Sequence, residues 1–224
     1  MQEERMPQLP SNMGEKHIAC VLLVDTSGSM RKSIDELKAG LQEFARVLQD
    51  DDTASGCADI AIVSFDSEVK TLVPFCPASE FTVPELVATG VTAMNEAIIT
   101  GLDMLEERKM LYRQCGTPYF RPWLFMLTDG TPTDFPYEGA AIQRLHEALS
   151  EKKVTFWPMG IGMNIDMEQL KKYANGGPVL KASANQFKEA FVWLSSSLSV
   201  IGNSDKDSKK VDLPPTPPVL TIEL

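Results

Sequence analysis

The sequence predicts a doubly wound α/β domain, with a mostly parallel sheet, one antiparallel edge strand and helices on both faces. Three observations predict it. Strand-like and helix-like patterns alternate from residue 17 to about residue 200. The runs 18–24 and 123–128 are apolar throughout, as strands covered on both faces must be. A length of 224 residues with 43% hydrophobic content suits one full-sized domain with short appendages.

Each element has its own signal. Residues 17–24 read as the first, central strand. In 33–50, Ile34, Leu37, Leu41, Phe44, Val47 and Leu48 fall on one helical face. Residues 57–65 read as a second strand. The turn at Asp66-Ser67 is so short that Glu68–Pro74 must return as an antiparallel partner. An amphipathic helix is predicted over 93–110, a fourth strand over Trp123–Thr128 and a helix over 138–152. Val154–Gly160 is a fifth strand, Asp166–Tyr173 a short helix, and Val179–Ala182 a small sixth strand. The last helix, 185–200, carries Phe187, Phe191, Leu194 and Leu198 on one face. Repeated strand–helix crossovers imply a parallel sheet, whose sites lie beyond the carboxyl ends of its strands.

The domain is expected over 17–201, with a polar arm at 1–16 and a tail at 202–224. The arm carries Glu3, Glu4, Arg5, Glu15 and Lys16 without an apolar h-region, so it is not expected to be a signal peptide. No apolar run reaches the length of a membrane span. The tail joins a charged stretch, Asn203–Lys210, to Leu213-Pro214-Pro215-Thr216-Pro217-Pro218. It reads as a flexible linker with a polyproline-prone end, either free or docked on the domain or on a partner.

Composition narrows function. Basic residues number 21 against 31 acidic, a net charge of −10, which argues against a nucleic-acid binder. Cys20, Cys57, Cys76 and Cys115 form no C-x-x-C pair, and only His17 and His146 could assist them, so a zinc site is not expected. Cys20 and Cys57 read as small core residues, and the set as reduced thiols of a cytoplasmic protein. His17 and His146 read as surface or packing residues, and Met159 and Met163 as core or loop-lining. Asp66, Glu68 and Asp134 read as solvated acids near the rim.

The chemistry starts at Asp25-Thr26-Ser27-Gly28-Ser29, directly after the first strand. A carboxylate and two hydroxyls at alternate positions on a tight turn supply the oxygen ligands that a hard cation takes. Thr92 stands just before the helix at 94, and Asp129-Gly130 just after the fourth strand. A doubly wound sheet can gather all three pieces on one rim. Taken singly, these are a turn with a helix cap, a threonine cap and a tight turn.

Together, Asp25-x-Ser27-x-Ser29, Thr92 and Asp129-Gly130 resemble the complete metal-ion-dependent adhesion site of von Willebrand factor A domains. The resemblance covers about residues 17–200. A narrower likeness is to the bacterial TerY/YegL-type proteins of tellurite-resistance and stress loci. It rests on Tyr119–Asp134, Val63-Ser64-Phe65-Asp66, Phe156-Trp157-Pro158-x-Gly160-x-Gly162, Leu194-Ser195-x-Ser197-Leu198-Ser199 and Leu213-Pro214-Pro215. The family implies that Ser27, Ser29 and Thr92 contact a divalent metal, with Asp25 and Asp129 behind them. Mg²⁺ is the expected ion, because it keeps waters and needs few carboxylates; Mn²⁺ and Ca²⁺ are the alternatives.

The resemblance implies a non-enzymatic interaction module whose protein partner presents an Asp or Glu, in a stress system with a kinase or phosphatase encoded nearby. Neither membrane nor nucleic acid is expected as partner. The chain lacks G-x-x-x-x-G-K-[ST], G-x-G-x-x-G and G-x-S-x-G. An aspartic protease needs a second Asp-Thr-Gly-like loop, and none exists. A metallohydrolase using Asp25 as nucleophile would want an acid where Ser27 stands. A purely structural metal is the remaining alternative.

Overall fold

In the computed structural model, residues 9–10, 14–162, 165–204, 212–218 and 220–223 are described. The chain runs β1 (Ile18–Asp25), α1 (Ile34–Asp50), α2 (Asp52–Cys57), β2 (Ala58–Phe65) and β3 (Val69–Pro77). There follow α3 (Met94–Cys115), β4 (Trp123–Thr128), α4 (Phe135–Ser150), β5 (Thr155–Ile161) and α5 (Met167–Ala174). The last elements are β6 (Val179–Ala182), α6 (Phe187–Gly202) and β7 (Thr221–Glu223). The sheet order is β3-β2-β1-β4-β5-β6-β7. β1, β2, β4, β5 and β6 are parallel, whereas β3 and β7 run antiparallel at the two edges.

The pleat of β1 divides the core. Ile18, Cys20, Leu22 and Val24 pack with Leu37, Leu41 and Phe44 of α1 and Phe187 and Phe191 of α6. Ala19, Val21 and Leu23 pack with Met94, Ile98 and Leu102 of α3 and with α4 and α5. Every residue of β1 is therefore buried, and successive side chains serve opposite layers. Contact between α1 and α6 is close: a Cβ added at Gly40 would sit 2.8 Å from a ring carbon of Phe191. Cys20 and Cys57 are buried as expected, and Met159 is wholly buried. Met163 lies outside the described residues.

Several element bounds differ from the sequence reading. Residues 52–57 form α2, which the sequence reading left unassigned apart from Cys57, read as the start of the second strand; the Asp51 carboxylate caps the helix by accepting from Ala54 N at 2.8 Å. α3 continues to Cys115, where Gly116 at φ 68 ends it and donates to the Tyr112 and Arg113 carbonyls. α4 begins at Phe135, with Pro136 in its first turn.

The tail is docked. Leu213 packs against the α6-side core, Leu220 is buried, and Trp193 Nε1 donates to Pro214 O at 3.0 Å. Thr221–Glu223 then pairs antiparallel with β6. The sheet thus has an antiparallel strand at each edge, where the sequence predicted one. Three residues after a proline run offer no alternation to read, yet they cover a strand edge that would otherwise be bare. Residues 205–211 are outside the description.

Strand order reverses between β1 and β4. The carboxyl ends of these two neighbours carry Asp25 and Thr128-Asp129, which sets the candidate site at the switch point of the sheet.

Candidate metal centre

Asp25 ends β1 with its side chain wholly buried. Its Oδ1 accepts from Ser27 N at 2.8 Å, and its Oδ2 accepts from Thr128 Oγ1 at 2.5 Å. The first bond folds the chain into the tight turn that the alternate spacing required. The turn opens a short 3₁₀ helix, Gly28–Lys32. Ser27 Oγ and Ser29 Oγ stand 3.0 Å apart. Ser29 Oγ donates to Asp129 Oδ1 at 2.7 Å, which ties the β1 turn to the β4 turn. A Cβ built on Gly130 would lie 3.3 Å from Thr92 Oγ1 and 3.8 Å from Asp25 Oδ2, so Thr92 shares this small space. All five residues singled out in the sequence (Asp25, Ser27, Ser29, Thr92 and Asp129) are thus assembled on one rim.

The surrounding loops are stitched down by backbone bonds. Thr89 N donates to Thr26 O at 2.8 Å, Gly28 N to Gly90 O at 3.1 Å, and Ala93 N to Asp66 O at 2.8 Å. Gly90 has φ 68, and a Cβ there would lie 2.2 Å from Ser67 Oγ, so glycine is demanded twice over. Thr92 is held through its backbone: its N–H donates to Thr133 Oγ1 at 3.1 Å, and its carbonyl accepts from Thr133 N at 2.9 Å. The Thr92 hydroxyl is left to face the site.

The electrostatics are unusual. Burial pushes the Asp25 pKa up to about 6, against hydrogen bonds from Ser27 and Thr128 that pull it down. Burial also raises Asp129, and the Ser29 hydrogen bond opposes it. Among the described residues, no lysine, arginine or histidine pairs with either carboxylate. Nor is there any group of three or more His, Cys, Asp or Glu placed to hold a metal. The donor set is therefore two carboxylates and three hydroxyls, which suits a hard, oxygen-loving cation and not zinc-type nitrogen or sulfur ligation. Ser27 and Thr92 are buried, while Ser29 is exposed, so the centre has one open side.

The other residues singled out in the sequence fare differently: Glu68 and the two histidines stand as expected, whereas Asp134 and Asp66 do not. Asp134 is no free rim acid: it accepts from Asn95 Nδ2 at 2.9 Å and from Glu96 N at 2.8 Å, capping α3 from the β4–α4 loop. Asp66 accepts from Glu68 N at 3.0 Å, shaping the hairpin turn. Glu68 is an exposed acid, paired with Lys70. His17 is wholly buried beside Asp59, far along the sheet from the site. His146 touches Lys172 O at 2.8 Å near the surface. Sequence reasoning missed Thr128 and Thr133. Thr128 could have been found from its place at the end of β4, where a buried hydroxyl must find an acceptor.

The model of the von Willebrand factor type A domain family matches residues 20–132, just over half of the chain. No curated protein matches it. Among solved structures, it is similar to a von Willebrand factor type A protein from Catenulispora acidiphila, at 20% identity and TM-score 0.62 over 83% of this chain and 43% of that one. It is similar to the vWF domain of the pili tip protein Mfa5 from Porphyromonas gingivalis, at 12% identity and TM-score 0.67 over 88% and 99%. A third is proximal thread matrix protein 1 of the mussel byssus, described "with zinc occupied MIDAS motif", at 20% identity and TM-score 0.59 over 83% and 48%. The chain spans less than half of the first and third of these.

Proposed function

Since the chain belongs to the von Willebrand factor type A domain family, we propose that it is a metal-ion-dependent protein-interaction module. Ser27, Ser29 and Thr92 offer hydroxyl oxygens to a divalent cation, with Asp25 and Asp129 beside them. The observation that carries this reading is the buried Asp25, held by hydroxyl and amide donors with no cationic side chain beside it. A mussel relative whose site takes zinc supports a divalent ion at this place in the fold. Mg²⁺ is the proposed ion, with Mn²⁺ and Ca²⁺ as alternatives.

Hydroxyl ligands are neutral, so much of the ion's charge is left for a partner Asp or Glu. Binding, not catalysis, is the proposed role. The TerY/YegL-type likeness of Tyr119–Asp134 and of the other segments supports a cytoplasmic stress system of the tellurite-resistance kind. Its kinase or phosphatase is then the proposed partner. Calorimetry with Mg²⁺ on the parent and on Asp25→Ala tests the metal: binding by the parent alone is expected, and equal binding by both overturns the assignment. A pull-down with and without EDTA, with Ser27→Ala/Ser29→Ala as control, tests the partner bridge. Capture that ignores both EDTA and the double variant would make the site structural.

A further inference from the structure

We infer that the rim around the metal centre is a docking surface for an extended acidic protein segment. In that segment an apolar side chain and a second carboxylate flank the metal-binding Asp or Glu. The inference rests on the metal reading above and adds the partner's chemistry. It stands on what surrounds the three hydroxyls and two carboxylates of that centre.

Seven large hydrophobic residues are exposed among those described, and four of them lie on this rim. Val87 and Val91 are 68% and 54% exposed on the loop before α3; Phe135 and Tyr137 are 64% and 49% exposed at the start of α4. The Thr92–Thr133 hydrogen bonds join these two segments, so the apolar residues border one centre from two sides. Val87, with Leu86, Thr89 and Thr26, also lines a shallow recess beside the β1 turn.

These residues are not loose side chains waiting to collapse. The loop is pinned to the sheet rim at Thr89, Gly90, Val91 and Ala93, and to α1 by Lys38–Glu85 at 2.7 Å. A fixed loop that holds valines in water, beside two exposed aromatic rings, marks an interaction site more than scattered single exposures would.

Charge gives the polarity. Arg31 and Lys32 are exposed two and three residues after Ser29, and neither has an ion pair or hydrogen bond among the described residues. Elsewhere the surface cations are largely spent: Arg46 on Glu43, Lys70 on Glu68, Arg144 on Asp103, Lys172 on Glu138. In a chain of net charge −10, two uncommitted cations beside the centre draw an acidic segment and turn it towards the metal.

Short random peptides displayed on phage test this on the full chain, captured in Mg²⁺ and released by EDTA. The released peptides should share an Asp or Glu with an aliphatic or aromatic neighbour within about three positions, plus a second acid. Val91→Ser/Phe135→Ser should weaken an enriched peptide about tenfold, with calorimetric Mg²⁺ binding unchanged. Arg31→Ser/Lys32→Ser should slow association and flatten its salt dependence. Acidic peptides without apolar neighbours, or equal binding by the Val91/Phe135 variant, would overturn the surface and leave the metal site standing. Absence of Mg²⁺ binding by the parent would overturn both. Mg²⁺-dependent self-association in sedimentation would put a second copy on the rim and overturn the acidic-segment partner.

Discussion

Asp25 at the carboxyl end of β1 and Asp59 at the amino end of β2 are both wholly buried, on adjacent parallel strands. Their surroundings differ in one respect. Asp59 Oδ2 meets Arg108 Nη2 at 2.9 Å, His17 Nδ1 at 3.2 Å and the Tyr112 hydroxyl. Burial alone would raise its pKa, but His17, Arg108 and Tyr112 together hold it below the usual carboxylate range. Asp25 meets only neutral donors and is raised. One end of the sheet thus spends its own cations on its buried acid, and the other end does not. The first acid is a closed structural pair. The second has a charge to be completed from outside, which is what a site for a metal ion requires.

The largest effect is expected at Asp59. Arg108→Met should cost about 3–5 kcal/mol in denaturant unfolding, because it strands a buried carboxylate. A loss below about 1 kcal/mol would show that the pair is not worth what its burial implies. The stabilisation from Asp59 is present above the unfolded carboxylate value and is lost as pH falls through its lower folded value.

Asp25 has the opposite sign. In EDTA, the stability supplied by its protonated form is complete below about pH 4 and disappears as pH rises through about 6. Over that range the parent should lose up to about 3 kcal/mol relative to Asp25→Asn. A difference that stays flat with pH would remove the contrast between the two acids.

Adding the ion sharpens the same contrast. Mg²⁺ at about a hundred times its dissociation constant should stabilise the parent by about 2.7 kcal/mol and leave Asp25→Asn unmoved. Equal melting shifts in both proteins would place the ion elsewhere. The smallest effect is expected from Tyr112→Phe, which removes one hydrogen bond to Asp59 at a cost of about 1.5 kcal/mol. Mg²⁺ titration should not register that change, and a weakened affinity there would mean that the two ends of the sheet communicate.

The two acids were unequally legible. Asp25 belongs to a local pattern, in which alternate oxygens follow an apolar strand. Thr92 and Asp129 then fall at loop positions that the strand–helix alternation already marks. Asp59 sits inside an apolar run as a lone acid, and its partners come from positions 17, 108 and 112, so no window of sequence shows them together. His17 read as a surface or packing residue for the same reason. The layers of the sheet were readable because β1 and β4 are apolar on both faces. α2 was not, since Asp52–Cys57 is six residues long and its cap is a side chain one residue upstream. β7 was not, since its three residues are strand only through pairing with β6.

That last strand has a colloidal consequence. An open sheet can grow from either edge. Here β3 fills one edge and is broken by register shifts near Ile62, while the returning tail seals the other. The same segment roofs the tryptophans, with Trp193 bonded to Pro214 and its ring 5.2 Å from that of Trp157. Cutting the chain after Ser204 would bare a row of unpaired amides and an aromatic face at once. Such a protein should cloud with rising concentration well below its melting temperature, as light scattering would record. With the tail in place, the bared stretch of β6 is replaced by an edge only three residues long.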